Sequence, residues 1–394
     1  MKYYLVAGEA SGDLHGSNLM RGLYARDPGA EIRFWGGGRM LDVFREFSKA
    51  EGGLVGDYRD GAVIGFTQVI LHARAFARKL SSCKEDIEAW KPEVVILIDY
   101  PGFNFRVAEF AHNAGFKVFY YIAPKVWASR EGRCRKIKKY VDKLFVIFPF
   151  EKEYFAAKGI PYFYCGNPLV DEMEEAAATE DAPAEADGRP YIAMLAGSRK
   201  EEVKSMMPVF KEIAGILSAT EGYENYKFLV AGAPSRTAKD YAPWTGPGSR
   251  LEVVFGKTRE IIRHAQAAVV NSGTASLETV LADTPQVAVY STSAINAAIA
   301  RRIIKVKYVS LGNLIAGRLV FKELLQKDFN ARAVAEEVIR LTSDGSYIRA
   351  MRDGYREIRT LLGGPGAPDA AASAIISEAG QHRPSGPQSR QHRR

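Results

Sequence analysis

Four polar side chains crowd a short glycine-rich stretch near the start of the chain, Gly8–Gly16, which reads GEASGDLHG. The stretch follows an apolar run, Tyr3–Ala7, and leads into a helical pattern, so it is predicted to be a strand-to-helix turn. In an open parallel sheet such turns lie at the carboxyl ends of strands, where ligands bind. The glycines would let the backbone approach a ligand closely. The alternative is that Ser11 or Asp13 only caps the helix that follows.

A second turn of the same kind is Ser272–Thr274, which follows the predicted strand Ala267–Val270. A glycine at the start of a helix, with free backbone N–H groups and small hydroxyls, is suited to a phosphate group. Glu278 lies about one helical turn further on, where a carboxylate could accept hydrogen bonds from ribose hydroxyls. The alternative is an ordinary capped helix in which Glu278 only interacts favourably with the helix dipole; the same sequence pattern would fit it.

Two further turns place a charged residue directly after a strand. Gly197–Arg199 offers a planar guanidinium suited to phosphate oxygens, or only a solvated surface charge. Asp99 ends the most apolar strand of the first half, Val94–Ile98. Partial burial would make this carboxylate a better general base. The alternative is an aspartate that ties down the Pro-Gly turn behind it.

Several familiar signatures are absent from the sequence. It contains no Gly-x-Gly-x-x-Gly after a strand and no Gly-x-x-x-x-Gly-Lys, which argues against dinucleotide cofactors and P-loop chemistry. Its six histidines show no His-Glu-x-x-His spacing, and there is no Asp-x-Asp. We therefore expect no cofactor and no dedicated metal site.

Short β-branched runs alternate with helical patterns through both halves of the chain. This order predicts an α/β protein made of two doubly wound, Rossmann-like units facing a central cleft. The remaining predicted strands are Ile32–Trp35, Val118–Tyr121, Leu144–Phe148, Tyr191–Ala196, Lys227–Ala231, Leu251–Phe255 and Gln286–Tyr290.

Composition agrees with a soluble two-domain protein. The chain has 394 residues, of which 47% are hydrophobic, and a formal net charge of +8. Three cysteines encode no disulfide framework, so a reducing compartment is expected. The start of the chain lacks the apolar core of a secretory signal, and no apolar run is long enough to span a bilayer. The basic charge favours acidic partners: phosphorylated metabolites, an anionic membrane or nucleic acid.

Two stretches bear on that choice. Apolar residues from Phe66 to Leu80 recur at helical spacing among basic ones, as in an interfacial helix or simply a core-facing one. Arg130–Lys143 carries seven basic residues, which could attract membrane or substrate phosphates or form a solvated helix face. Neither stretch has the spaced aromatic residues of a stacking platform, so nucleic acid is the least favoured partner.

Taken together, an ordered set of motifs resembles the lipid-A-disaccharide synthase family over roughly residues 1–362. The segments that carry the resemblance are Gly8–Gly16, Asp99–Asn104, Pro124–Trp127, Gly166–Pro168, Gly197–Arg199, Ser272–Glu278, Asn313–Gly317 and Glu323–Gln326.

The resemblance implies a metal-independent, inverting glycosyltransferase of the GT-B fold. Its donor would be UDP-2,3-diacylglucosamine and its acceptor 2,3-diacylglucosamine 1-phosphate, joined through a β-1,6 bond with release of UDP. The enzyme would be cytoplasmic and peripheral at the inner membrane, and a homo-oligomer is left open. A UDP-sugar 2-epimerase-like isomerase is the nearest rival, because it shares the two-unit plan, and a two-lobed solute-binding protein is a non-enzymatic one.

Roles implied by the resemblance fall on three groups of residues. The catalytic residues would be Asp99 as base, Arg199 as the cation at the departing diphosphate, and Asn313 on the donor side. The residues implied to bind the donor are Gly197, Ser198, Ser272, Gly273, Thr274, Glu278 and Gln326. The residues implied to line the acceptor side are Glu9, Ser11 and His15. Where many relatives have a second aspartate, this chain has Gly102, which favours Asp99 as the base.

The predicted organisation has five parts. Residues 1–171 form the acceptor and membrane domain, 172–189 a linker, and 190–345 the UDP-donor domain. Residues 346–380 are helices expected to pack back on the first domain. Residues 381–394 contain no large apolar side chain and are expected to be disordered.

Overall fold

The structure is a computed structural model that describes residues 1–48, 50–59, 69–175, 182–291 and 307–380, with side chains omitted for 69–73. Its Cα positions group into two compact units. The first contains Met1–Val126, Arg130–Pro168 and the chain from Gly366 on, and the second contains Trp127–Ser129 and Leu169–Pro365.

The first unit is built on a seven-stranded parallel sheet with strand order β3-β2-β1-β4-β5-β6-β7. Its strands are β1 Lys2–Ala7, β2 Glu31–Gly36, β3 Leu54–Asp57, β4 Val94–Ile98, β5 Lys117–Tyr121, β6 Lys143–Val146 and β7 Tyr162–Tyr164. Strand β4 is buried at every position, as expected for a parallel strand covered on both faces.

Helices join these strands and cover both faces of the sheet. Their bounds are Ala10–Arg26, Gly38–Phe47, Val69–Trp90, Pro101–Asn113, Cys134–Tyr140, Pro149–Ala156 and, from the end of the chain, Ala367–Gly380. Two ion pairs hold this last helix on the first unit: Arg26 with Asp369 at 2.9 Å and Lys143 with Glu378 at 2.7 Å.

The second unit repeats the plan with a six-stranded parallel sheet in the order β10-β9-β8-β11-β12-β13. Its strands are β8 Tyr191–Leu195, β9 Lys227–Gly232, β10 Leu251–Phe255, β11 Ala267–Asn271, β12 Gln286–Tyr290 and β13 Glu323–Leu325. Its helices are Lys200–Ser218, Ala238–Tyr241, Thr258–His264, Thr274–Leu281, Leu311–Ala316, Ala331–Ser343 and Gly345–Leu362, and the helix Pro168–Glu175 leads into it.

Each sheet has one point where the strand order reverses. In the first unit it lies between β1 and β4, with Ala7 opposite Ile98. In the second it lies between β8 and β11, with Leu195 opposite Val270. Open α/β sheets bind ligands just outside the carboxyl ends of strands at such a reversal. All four turns singled out in the sequence follow these four strands.

The doubly wound α/β prediction is confirmed, and three strands match their predicted bounds at both ends: Val94–Ile98, Leu251–Phe255 and Gln286–Tyr290. Three strands were missed, β3, β7 and β13. Each has only three or four residues and each sits at a sheet edge, so its side chains carry too short a pattern to recognise.

The linker predicted at 172–189 belongs to the second unit. Glu172 lies in the helix Pro168–Glu175, is buried and forms an ion pair with Arg259. Ala186 is part of the second unit's apolar core. The acidic, alanine-rich composition suggested a solvated excursion, but both ends are packed, and residues 176–181 lie outside the described ranges.

Two other sequence interpretations fall largely on undescribed residues. Phe66 and the side chains of 69–73 lie outside the description, so only the end of the apolar stripe is visible. There, Phe76 and Leu80 pack against the first unit's core. The tail 381–394 also lies outside it. Among the helices that are described, none is long and apolar enough to cross a membrane.

Candidate active site

The first reversal point brings the turns after β1 and β4 into contact. A Cβ atom added to Gly8 would lie 2.1 Å from Cδ1 of the Tyr100 ring, so only glycine fits there. Glu9, the next residue, is exposed and lies within electrostatic reach of the Tyr100 phenol, whose pKa is raised by burial and then by this carboxylate. The structure therefore places Glu9 beside the Asp99–Tyr100 turn.

Asp99 and Tyr100 both have left-handed backbone conformations, with φ of 42° and 45°. For residues with a side chain this conformation is strained, by on the order of 1–3 kcal/mol each, and it persists only where the surroundings enforce it. Two donors enforce it here. The Tyr120 hydroxyl donates to the Asp99 carbonyl at 2.6 Å, and the Asn104 side-chain amide donates to the same carbonyl at 2.8 Å.

Asn104 was not singled out from the sequence, although it closes the motif that begins at Asp99. Its side chain is fully buried, and its Nδ2 also lies 3.1 Å from the Ile98 carbonyl and 3.3 Å from that of Val6. One amide thus joins the ends of both central strands to the carbonyl of Asp99. We class Asn104 and Tyr120 as positioning residues for the Asp99 carboxylate.

The carboxyl group of Asp99 has the electrostatics of a general base. Burial raises its pKa, while the Lys125 ammonium and the backbone N–H of Tyr100 act in the opposite direction. A carboxylate with a raised pKa accepts a proton more readily than an exposed one. The Asp99 carbonyl accepts the two side-chain hydrogen bonds that hold the turn, and the carboxylate also contributes to holding it through the N–H of Tyr100.

The other two residues predicted for the acceptor side lie on or near the helix Ala10–Arg26. Ser11 is exposed in its first turn. His15 lies one turn further on, and burial lowers its pKa to about 4. His15 is therefore a neutral imidazole at physiological pH, able to act as a hydrogen-bonding group and not as a cation.

Asp13 does not cap the helix in which it lies. Its carboxylate accepts hydrogen bonds from the backbone N–H groups of Gly37 at 2.7 Å, Arg39 at 3.1 Å and Met40 at 3.1 Å, which open the next helix. Glu9 occupies the N-cap position of the first helix, without a side-chain capping bond. The capping alternative is therefore wrong for both residues. Ser11 is not at the N-cap position, which Glu9 occupies, and Asp13 fixes the turn after β2.

At the second reversal point, Gly197 has a φ of +95°. A Cβ atom there would lie 2.4 Å from Nδ2 of Asn271 and 2.5 Å from Oε2 of Glu202. The Glu202 carboxylate accepts hydrogen bonds from the backbone N–H groups of Ser198 and Arg199, both at 3.1 Å. Glu202 therefore occupies the two backbone N–H groups of this turn.

The group of this turn that remains accessible to solvent is the guanidinium of Arg199. Its side chain is 83% exposed and donates to Glu202 at 2.9 Å. A guanidinium has five N–H donors, so this single bond leaves most of them available to an anion.

The turn after β11 differs, because no side chain caps the helix Thr274–Leu281. Gly273 and Thr274, at its start, are exposed. Within the described residues, the hydroxyl of Ser272 and the Oδ1 of Asn271 have no hydrogen-bond partner. Open N–H groups flanked by unused polar atoms form the better anion site of the two.

Glu278 lies on the same helix, one turn beyond the open end. Burial raises the pKa of its carboxyl group, and the nearby Arg259 guanidinium opposes that shift. Arg259 is itself paired with Glu172. The carboxyl group of Glu278 thus lies behind the open helix end as a hydrogen-bond acceptor.

Asn313 does not have the character of a substrate-binding group. It is fully buried, and its Nδ2 donates to the carbonyl of Phe321 at 3.0 Å and to Glu323 at 2.9 Å. Its Oδ1 accepts from Val320 N–H at 2.8 Å. The side-chain amide of Asn313 makes its hydrogen bonds to other groups of the protein. Asn313 is therefore a positioning residue that fixes the segment before β13, and its catalytic assignment is corrected.

Gln326 follows β13 at the carboxyl edge of the second sheet. It is half-buried and has a left-handed φ of 55° at the start of a short 3₁₀ turn. No group of three or more His, Cys, Asp or Glu side chains among the described residues is arranged to hold a metal ion.

Two doubly wound units with polar turns at their reversal points define the GT-B class of α/β proteins, and solved structures agree. A UDP-GlcNAc 2-epimerase from Neisseria meningitidis bound to UDP-GlcNAc superimposes with a TM-score of 0.65 and 16% identity, over 96% of this chain and 100% of that one. The calicheamicin glycosyltransferase CalG4 gives 0.59 and 15%, over 97% and 99%. At these identities the likeness establishes the fold.

Sequence comparisons then specify the family. The model of the family described as lipid-A-disaccharide synthetase matches residues 3–371. Lipid-A-disaccharide synthases from Syntrophus aciditrophicus and Trichlorobacter lovleyi are 38% and 35% identical, each over 95% of this chain and 96% of the relative. The chain belongs to the lipid-A-disaccharide synthase family. It is therefore a glycosyltransferase of lipid A biosynthesis, and the resemblance found in the sequence is confirmed.

Proposed function

We propose that this enzyme transfers 2,3-diacylglucosamine from UDP to the 6-hydroxyl of 2,3-diacylglucosamine 1-phosphate, forming a β-1,6 bond with inversion and releasing UDP. Family membership sets the reaction class. The observation that carries the proposal is the half-buried, left-handed Asp99, whose pKa is raised by partial burial and whose backbone is held by two donors.

In the chemical step, Asp99 removes the proton from the acceptor 6-hydroxyl as its oxygen attacks the anomeric carbon. A bond forms between this oxygen and the anomeric carbon, and the bond from that carbon to the diphosphate oxygen breaks. The electron pair leaves with UDP. A single displacement of this kind inverts the anomeric centre, and it needs one base and stabilisation of the leaving group.

Donor binding is proposed for the second unit. The open N-terminus of the helix Thr274–Leu281, with Ser272 and Gly273, would hold the diphosphate. Arg199 would compensate the charge that develops on it, which is where a positioned cation lowers the barrier most. Glu278 would accept bonds from ribose hydroxyls, and Gln326 would complete the nucleotide site.

Gly197 and Ser198 contribute shape to this donor site. Gly197 gives the turn its left-handed conformation, and Ser198 is held by Glu202. Acceptor binding is proposed for Glu9, Ser11 and the neutral His15 beside Asp99. Because both substrates carry acyl chains, we also propose that the enzyme works as a peripheral protein at the cytoplasmic face of the inner membrane.

The test is UDP release from UDP-2,3-diacylglucosamine in the presence of EDTA, with and without 2,3-diacylglucosamine 1-phosphate. We expect release that depends on the acceptor and survives EDTA, and a disaccharide whose β configuration is read by NMR. Release without acceptor would contradict the proposal. Conversion of UDP-N-acetylglucosamine to its 2-epimer, without disaccharide, would support the isomerase instead.

A further inference from the structure

Three cations, Lys125, Arg130 and Arg133, follow β5 in the chain, and the end of that strand lies beside Asp99, whose N–H donates to the Tyr121 carbonyl at 3.2 Å. The Lys125 ammonium acts on the Asp99 carboxyl group. The Arg133 guanidinium acts on the Tyr120 hydroxyl, which itself donates to the Asp99 carbonyl at 2.6 Å. Arg130 is close enough to Arg133 to repel it. Lys125 therefore acts on the assigned base itself, Arg133 on the hydroxyl that holds it, and Arg130 on Arg133.

None of the three is neutralised by an ion pair within the described ranges. Glu131, which stands between the two arginines in sequence, is paired with Lys158. Lys125 and Arg130 are exposed, and Arg133 is half-buried. Uncompensated cations close together repel each other, and an anion that bridges them relieves that repulsion.

The backbone and an aromatic ring hold the arginines in place. Arg130 has a left-handed φ of 60°, directly before the 3₁₀ turn Glu131–Arg133. The guanidinium of Arg133 lies 5.7 Å from the centre of the Phe105 ring, a cation–π contact. An arginine stacked in this way loses less freedom when it binds an anion than a free surface lysine does.

We propose that Lys125, Arg130 and Arg133 form a subsite for the phosphate monoester of the acceptor. The inference rests on the proposed function and deepens it. One pyranose ring separates the 6-hydroxyl from the phosphate at C1, so an acceptor whose hydroxyl reaches Asp99 places its phosphate beside the base and not on it. Cations that start at Lys125, which acts on Asp99, and continue to Arg133 and Arg130 suit that arrangement.

Phosphates of membrane lipids could also bind these cations, but the position of Arg133 favours the acceptor phosphate. Cations that face a lipid surface extend along an exposed helix face, as Lys136, Lys138 and Lys139 do on the helix Cys134–Tyr140. Arg133 is instead half-buried on Phe105.

The experiment compares acceptors with and without the 1-phosphate, in detergent micelles, for Arg130→Ala and Arg133→Ala. Hydrogen bonds to charged groups are strong enough that we expect KM for the phosphorylated acceptor to rise about 10- to 100-fold. KM for the dephosphorylated acceptor and the Kd of UDP should not change. Arg130 is exposed, so its variant keeps the test valid if Arg133→Ala disturbs the packing on Phe105.

Lys136→Ala, an exposed cation on the neighbouring helix, is the matched control and should leave both KM values unchanged. An equal rise for both acceptors, or the same rise in Lys136→Ala, would overturn the subsite. A loss of activity in the arginine variants that occurs only with anionic phospholipid vesicles, and not in micelles, would also overturn the subsite. Such a loss would show that the cations bind membrane phosphates. If wild-type enzyme makes no disaccharide from either acceptor, the proposed function itself fails.

Discussion

The two reversal points share one topology but carry opposite chemistry. The edge of the first sheet presents a half-buried carboxylate, Asp99, and a neutral imidazole, His15. The edge of the second presents an open helix end at Gly273 and an exposed guanidinium, Arg199. The proposed proton transfer would use the first set, and the proposed binding of the diphosphate would use the second. The comparison teaches that a repeated Rossmann-like plan fixes where a site lies and leaves its chemistry to a few turn residues.

The two edges also solve the same backbone problem differently. Both turns need left-handed residues. The second sheet uses a glycine, Gly197, which adopts this conformation without strain, whereas the first uses Asp99 and Tyr100, which do not. Strain at Asp99 is maintained by Asn104 and Tyr120, and this is typical of sites where a side chain must be held in one position.

The largest effect is expected from Asp99→Asn, which keeps the shape of the side chain and removes the proposed base. Positioned general bases contribute about 10²–10⁴-fold, so kcat should fall by that factor. Steady-state UDP release with saturating acceptor measures it. Retention of more than a tenth of wild-type kcat would show that another group takes the proton.

Arg199→Ala should follow, because it removes the cation that we propose to face the leaving diphosphate. We expect a loss of about 10²–10³-fold in kcat with an unchanged melting temperature, since the side chain is 83% exposed. Arg332→Ala is the matched control: Arg332 is 86% exposed and pairs with Glu336 four residues on. A similar loss of kcat in both variants would remove the special role of Arg199.

Gly197→Ala tests the shape of the second edge. The new Cβ would meet Asn271 and Glu202 and force a left-handed alanine, so we expect destabilisation of about 1–2 kcal/mol and weaker UDP binding. Gly215→Ala is the control, because Gly215 lies inside the helix Lys200–Ser218 with open space around it. That variant should gain about 0.5–1 kcal/mol in urea unfolding. Equal stability of the two variants would contradict this account.

The smallest effect concerns pH. Burial raises the pKa of Asp99, so wild-type activity should fall as pH decreases through that raised value, above the ordinary aspartate range. The raised pKa of Asp99 also affects stability. As pH rises from the unfolded-state pKa of Asp99 to its folded-state pKa, the free energy of unfolding decreases, because the unfolded state loses the Asp99 proton first. Asp99→Asn should therefore raise the melting temperature at pH 7, and the gain should vanish in acid. A gain that is independent of pH would contradict the assignment.

The sequence was sufficient to place Asp99 and Ser272–Thr274 at strand ends, because β4 and the first four residues of β11 are unbroken apolar runs. It was not sufficient for Asn313, since a residue type does not reveal whether its amide is already bonded. The occupied turn at Arg199 did have a signal. Glu202 stands three residues later, the spacing of a capping box, and predicts that the helix end is filled by a side chain.

The division of labour between the two edges is tested most directly by the Kd of UDP for Asp99→Asn, measured by calorimetry beside wild type on preparations whose turnover is also recorded. We predict an unchanged Kd together with lost turnover, because the proposed base lies at the edge that we assign to the acceptor. A Kd that weakens in parallel with turnover would contradict it and place Asp99 in donor binding.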